Sequence, residues 1–425
     1  MEVRRVVELF RNRPIFSWAL YDWANSVFAT TVMAGFFPVF FKEYWSAGSD
    51  AVVSTAQLGF SNSIASVFIL VAAPILGAIA DGGGARKKYL GVFTALGIVM
   101  SAGLWFVAQG DWAMAALVYV LAVVGFSGGI VFYDALIMSV SPPERYDEVS
   151  SFGFSLGYIG GGVLFAGNVA MVLSPSTFGL PGAAEAVRLS FLTVAVWWLV
   201  FSIPLFRNVP EPPRTGDPSS AVGSGLRSLA KTMREHRTHR MAVLFLVAYF
   251  FYIDGVHTII RMAVDYGLSL GFPADSLIVA LLIVQFVGFP AALVFGLAAQ
   301  RVGPKPTLYF GVVVYVGVTI YAYFMTSVIE FYVLAVVIGL VQGGVQAVSR
   351  SLYARFVPAA QSGEFFGFFN MIGRFAAILG PSLVAITGLL TGSSRLGILS
   401  VIVLLVIGAV LLGFVREREG SAVPA

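Results

Sequence analysis

The feature that most constrains this chain is a succession of apolar runs, each about twenty residues long and nearly free of charge. In helical form such a run matches the roughly 30 Å hydrocarbon thickness of a bilayer. Charged residues make up 11% of the 425 and hydrophobic ones 58%, whereas a soluble domain carries about a quarter charged residues. So few charges cannot clothe a chain of this size in a polar surface, so lipid is its solvent. In lipid every backbone N–H and C=O must be paired internally, which leaves helices or a closed barrel. Barrel strands would alternate apolar and polar residues over segments of about ten. The runs here are continuous, so the expected class is an all-α membrane protein.

Twelve candidate spans can be delimited: Ile15 to Phe41, Thr55 to Ala80, Tyr89 to Val107, Trp112 to Val140, Ser151 to Leu173, Leu189 to Phe206, Met241 to Ala263, Ser276 to Ala299, Leu308 to Met325, Phe331 to Val348, Phe365 to Leu390 and Leu396 to Val415. The first run is too long for a signal-peptide core and lacks a small-residue cleavage site, so it reads as a retained span. With the N-terminus inside, 21 of the 26 Lys and Arg fall on the cytoplasmic side and three (Lys42, Arg188, Arg395) outside. By the positive-inside rule both termini are expected in the cytoplasm. The polar stretch Arg207 to Arg240 divides the spans six and six. It predicts an N-terminal bundle over 1–206, a cytoplasmic linker over 207–240 and a C-terminal bundle over 241–425. Within the linker, Pro210 to Pro218 reads as extended coil. Leu226 to Arg240 reads equally as a solvated tether or as a basic amphipathic helix on an anionic leaflet.

The two sets of spans repeat one another. Gly77, Asp81, Gly84 and Arg86 after span two find an echo in Gly296, Gln300, Gly303 and Lys305 after span eight. Gly128-Gly129 and Pro142 pair with Gly343-Gly344 and Pro358, and Asp22 of span one pairs with Asp254 of span seven. Three matches in the same order support two homologous halves. The first of these motifs, with its leading base displaced by one residue to Arg86, resembles the signature of the major facilitator superfamily. A narrower resemblance lies in Ser17-Trp18-Ala19-Leu20-Tyr21-Asp22-Trp23-Ala24-Asn25-Ser26, in the run Gln342 to Arg355, and in Glu364-Phe365-Phe366-Gly367-Phe368-Phe369-Asn370. These segments look like the autophagy-related vacuolar amino-acid effluxer family and its bacterial relatives. The resemblance implies twelve helices in two pseudo-symmetric six-helix bundles, the major facilitator fold. It also implies efflux of neutral amino acids in the fungal members, whereas the compact loops look more like the bacterial branch.

Ionisable residues inside spans cost about 2.5 to 3.5 kcal/mol each on insertion scales. Five are expected there: Asp22, Asp134, Asp254, Arg261 and Arg374. Asp254, His257, Thr258 and Arg261 follow helical spacing and share one stripe, which an apolar helix would turn inward. Such a stripe could bind a zwitterion and couple a proton, or Asp254 could form a structural ion pair with Arg261 or Arg374. Asp22, Asn25, Ser26 and Thr30 repeat the theme on span one. Asn370 and Arg374 lie on span eleven, and a fixed guanidinium suits a substrate carboxylate or can merely neutralise Asp22 or Asp254. Gln342 and Gln346, with Gln285, offer neutral hydrogen bonds. The superfamily resemblance implies a gating role for Gly77, Asp81, Gly84, Arg86 and Asp134, with Asp134 paired to the loop base. Gly153, Gly157, Gly160 and Gly161 form a small-residue stripe on span five that admits a close neighbour.

No enzyme is expected. No Walker loop is present to bind ATP phosphates, and the absence of cysteine excludes disulfides, thiol catalysis and cysteine metal sites. The expected function is a secondary transporter for a small polar solute, a neutral amino acid or related carboxylate first, with proton coupling through Asp22 or Asp254. A drug or lipid exporter of the same fold and a non-transporting receptor or scaffold are the alternatives. Expected partners are the solute, protons and membrane lipids, with no nucleic acid, cofactor or metal, and a monomer in the bacterial plasma membrane.

Overall fold

The computed structural model describes residues 2–48, 51–83, 85–211, 239–375 and 379–416, apart from some side chains within those ranges. Every regular element among them is a helix. In chain order these are α1 (Glu2–Arg11), α2 (Arg13–Val27), α3 (Ala51–Gly83), α4 (Arg86–Gly103), α5 (Trp112–Ala135), α6 (Tyr146–Leu173) and α7 (Ala183–Asn208). After the linker come α8 (Arg240–Ser269), α9 (Ala274–Val302), α10 (Pro304–Phe324), α11 (Val328–Ala354), α12 (Ser362–Phe375), α13 (Leu379–Thr391), α14 (Ser394–Leu399) and α15 (Ile402–Phe414). The linker residues 212–238, including both proposed parts of it beyond Glu211, lie outside the described residues, as does Gly84.

Among the described residues, ten helical stretches are long and apolar enough to cross a membrane. The expected second and eleventh spans fall on α3 and on α12 with α13. Local signals set the helix ends. Asn12 caps α2 by accepting from the Ile15 N–H, ahead of Pro14 in the first turn. Asp111 accepts from Met114 N–H at the head of α5, and Ser327 with Glu330 forms a reciprocal capping box on α11. The first span continues beyond α2 as a wide π-helical stretch, Phe28–Phe36, a form that usually marks a functional segment of a helix.

The chain alternates between two ends of the bundle, so the turns near Arg86, Arg145, Lys305 and Arg355 gather at one of them, here called the basic end. There the two sets of helices are sealed together. The seams run between α6 and α9 and between α3 and α12, with α11 and α5 filling in beside them. Under the expected repeat, span two corresponds to span eight and span five to span eleven, so the two seams exchange. That is the two-fold relation of a major facilitator fold.

Glycine makes the seams tight. A Cβ on Gly77 would run into the backbone of Gly363, and one on Gly367 would lie 2.7 Å from the Ala73 carbonyl oxygen. The glycine stripe on α6 admits a close neighbour, which is α2: side chains at Gly157 and Gly160 would strike Asp22, Ser26 and Trp23.

Candidate functional site

The centre of the seam is a guanidinium that the span boundaries misplaced. Span ten was expected to end at Val348, which put Arg350 in a loop. Instead α11 runs on to Ala354 and buries Arg350 to 3% exposure. Its Nη1 donates to Asp134 Oδ1 at 2.9 Å and lies 3.9 Å from Asp22 Oδ2. Its Nε donates to Ser150 Oγ and its Nη2 to the Ser150 carbonyl, both at 2.9 Å. Three aromatic rings surround the cation, with the guanidinium carbon 4.9 Å from the Trp18 ring centroid, 5.4 Å from Tyr133 and 4.5 Å from Phe154. Every one of these partners belongs to the helices before the linker, whereas Arg350 belongs to those after it.

The carboxylates are held from several directions. Asn370 donates to Asp134 Oδ2 at 3.1 Å. Tyr133 donates to Asp22 Oδ2 at 3.2 Å and Ser26 to Asp22 Oδ1 at 3.3 Å. Asp134 was expected to pair with Arg86. The structure corrects this: Arg86 Nε binds Asp81 at 2.6 Å, and its Nη2 reaches the Ala359 carbonyl at 3.1 Å. Asp134 is spent on Arg350 because α11 reaches deeper than its hydropathy suggested.

Asp81 forms a second clasp. Beyond Arg86, it accepts the backbone N–H groups of Gly363 at 3.0 Å and Glu364 at 2.8 Å, at the first turn of α12. An acid at a helix N-terminus meets both unpaired donors and the positive end of the helix dipole. A third clasp joins Asp147, fully buried, to the Ser351 hydroxyl and to Arg355 Nη2 at 2.5 Å. Sequence reading did not single out Asp147, Ser150, Arg350 or Arg355 as site residues, although both arginines sit in the run that carries the family resemblance.

The stripe on α8 is divided rather than facing one cavity as a unit. Asp254 is fully buried, and both its oxygens accept the Gly380 N–H, at 3.1 and 3.0 Å, beside Thr258 at 3.4 Å. It is therefore engaged by the backbone of α13, with Arg261 within electrostatic reach. His257 is half-buried, and Arg261 is exposed within electrostatic reach of Asp254 and of Tyr119 on α5. Asn25 is buried on α2. Gln342 and Gln346 are half-buried on α11, Gln342 approaching Tyr158 of α6. Gln285 donates to Thr30 at 3.0 Å, another contact between the two sets. The side chain of Arg374 lies outside the described residues.

Among the described residues the chain is a helical bundle sealed at one end by buried charge clasps between its two sets of helices, the architecture of a multi-pass membrane protein of the major facilitator fold. Solved structures agree on the fold. A proton:xylose symporter, XylE, matches with a TM-score of 0.72 at 14% identity over 99% of this chain and 98% of its own. The human organic anion transporter MFSD10 matches with a TM-score of 0.71 at 15% identity over 94% and 99%. Among sequences, an uncharacterized MFS-type transporter of Bacillus subtilis, YxiO, is 41% identical over 409 residues, 96% of each chain. Autophagy-related protein 22 of Cryptococcus neoformans is 29% identical over 295 residues, and the chain spans about half the length of that fungal relative. The family model "Vacuole effluxer Atg22 like" matches residues 51–142 and 138–422, and the chain belongs to that family.

Proposed function

We propose that this protein is a proton-coupled secondary transporter of small polar solutes, neutral amino acids or related carboxylates first. Twelve spans form two units, 1–206 and 241–425, joined by the 207–240 linker. They rock about a midplane site, with the basic end and both termini in the cytoplasm of a bacterial cell. A single observation carries this reading: Arg350 is shared between Asp22 and Asp134 across the seam. Opening the basic end withdraws the guanidinium and leaves two neighbouring carboxylates to repel one another without a counter-charge, at a cost in free energy. Protons arriving at that moment remove the cost, which ties the conformational change to proton movement. The fungal relatives of the family, whose model is described as a vacuole effluxer, support solute export. Asp22, Asn25, Asp254, His257, Arg261, Gln342, Gln346, Asn370 and Arg374 would serve the solute or the proton. Gly77, Asp81, Gly84, Arg86 and Asp134 would serve the gate.

The test is counterflow of radiolabelled amino acids into proteoliposomes with an imposed pH gradient. Wild-type accumulation should follow the gradient, and Asp22→Asn should retain exchange while losing the gradient response. Accumulation by the wild type that ignores the gradient for every solute carried would overturn proton coupling.

A further inference from the structure

Protons alone would neutralise Asp22 and Asp134, yet the surroundings of Arg350 hold more than two carboxylates. Trp18, Tyr133 and Phe154 present three ring faces to one cation, and Ser150 offers both its hydroxyl and its carbonyl. A proton has no use for aromatic faces, whereas an organic cation is held by them.

The cage is also built without help from Arg350. Trp18 Nε1 donates to the Tyr133 carbonyl at 2.9 Å, and the two rings stack with centroids 4.6 Å apart. Tyr133 holds Asp22, and Gly153 leaves the room beside Trp18 and Tyr133 that a larger residue would fill. When the seam parts, Arg350 leaves with α11 while the cage keeps its shape on α2, α5 and α6.

We propose that this cage is the binding site for the cationic group, ammonium or guanidinium, of the transported solute, and that Arg350 occupies it as a tethered stand-in while the basic end is closed. The inference rests on the alternating access proposed above and deepens it by naming the solute class: small molecules that bear an organic cation, zwitterions included. Solute and Arg350 then compete for one place. A bound cation keeps the seam from closing until it departs, and an empty cage is refilled by Arg350, which closes the seam.

The test uses the full-length protein in nanodiscs, titrated with ethylguanidinium and with ethylurea, its neutral counterpart of similar shape. Arg350→Ala empties the cage directly. Gly77→Leu keeps Arg350 but cannot close, because its side chain meets the Gly363 backbone. Both variants should bind ethylguanidinium at least tenfold more tightly than ethylurea and more tightly than wild type, and adding Trp18→Leu should abolish the difference.

Equal binding of the two probes, or indifference to Trp18→Leu, overturns the proposal. So does binding by Arg350→Ala without binding by Gly77→Leu, since the cage would then be only the socket of Arg350. Failure of the alternating-access reading shows separately: Gly77→Leu would leave a buried Ala347→Cys thiol on the seam as unreactive as in the wild type.

Discussion

Removing the Asp81 carboxylate should open the basic end by a calculable amount. In the closed form it accepts two backbone N–H groups from the first turn of α12, at 3.0 and 2.8 Å. Hydrogen bonds to a charged group contribute about 1.5 to 3 kcal/mol each. The open form returns both donors to water, so the low end applies, and the pair contributes about 3 kcal/mol to closure. At roughly 1.4 kcal/mol per factor of ten, Asp81→Ala shifts the equilibrium about 100-fold toward opening. The Arg86 guanidinium is not stranded, because it still reaches the Ala359 and Ala360 carbonyls. The chain has no cysteine, so Ala347→Cys supplies a single thiol. Ala347 is fully buried on the seam, and its carbonyl accepts the Ser150 hydroxyl. A membrane-impermeant maleimide applied from the basic side should react up to about 100-fold faster in the Asp81→Ala background. A rate within twofold of the parent refutes the reasoning. So does a faster rate matched by a collapse of the thermal midpoint, which would mean general loosening.

Three further outcomes follow from the same contacts. Arg350→Leu leaves two carboxylates buried without their cation and should cost about 3 to 5 kcal/mol of the closed form. Restoring neutrality with Asp134→Asn should recover part of it, as read by thermal midpoint and by Ala347→Cys reactivity. Gly380→Ala places a methyl against the Thr258 hydroxyl and 2.9 Å from Asp254 Oδ1. It should lower stability by about 1 to 3 kcal/mol, whereas Gly388→Ala, where nothing lies within 4 Å, should leave the thermal midpoint unchanged. Arg355→Gln removes a charged partner of the buried Asp147. It should raise Ala347→Cys reactivity, with a smaller increase at high salt, where the attraction of the solvent-facing Arg355 is already partly screened.

Much of the fold was legible because lipid imposes few options. Continuous apolar runs of span length, punctuated by basic turns, allow little but a helical bundle, and glycine stripes announced where helices approach. The gate was half legible. The motif around Gly77, Asp81 and Arg86 was visible, but its partner was not, since Asp81 binds backbone N–H groups of Gly363 and Glu364, which leave no mark in residue type. Arg350 was missed for a different reason. Hydropathy ends a span at the first charge, and it cannot tell a loop arginine from one buried in an aromatic cage on neighbouring helices. The run Ser349-Arg350-Ser351 carried the hint, because small hydroxyls beside an arginine are what a tight polar seam requires. Asp254 was placed correctly as a buried acid, but its partner was a distant backbone N–H that helical periodicity cannot reveal.

Alternating access is tested most directly by spin-label distances at both ends of one molecule. Lys88→Cys with Val302→Cys reports the basic end, and Leu173→Cys with Leu389→Cys the opposite end; all four positions are exposed. Rocking of two rigid units predicts that Asp81→Ala lengthens the first distance and shortens the second, with both forms present in the wild type in changed proportion. If both distances lengthen together, or neither moves, the two sets of helices do not exchange access between the ends, and the transporter reading of the seam is contradicted.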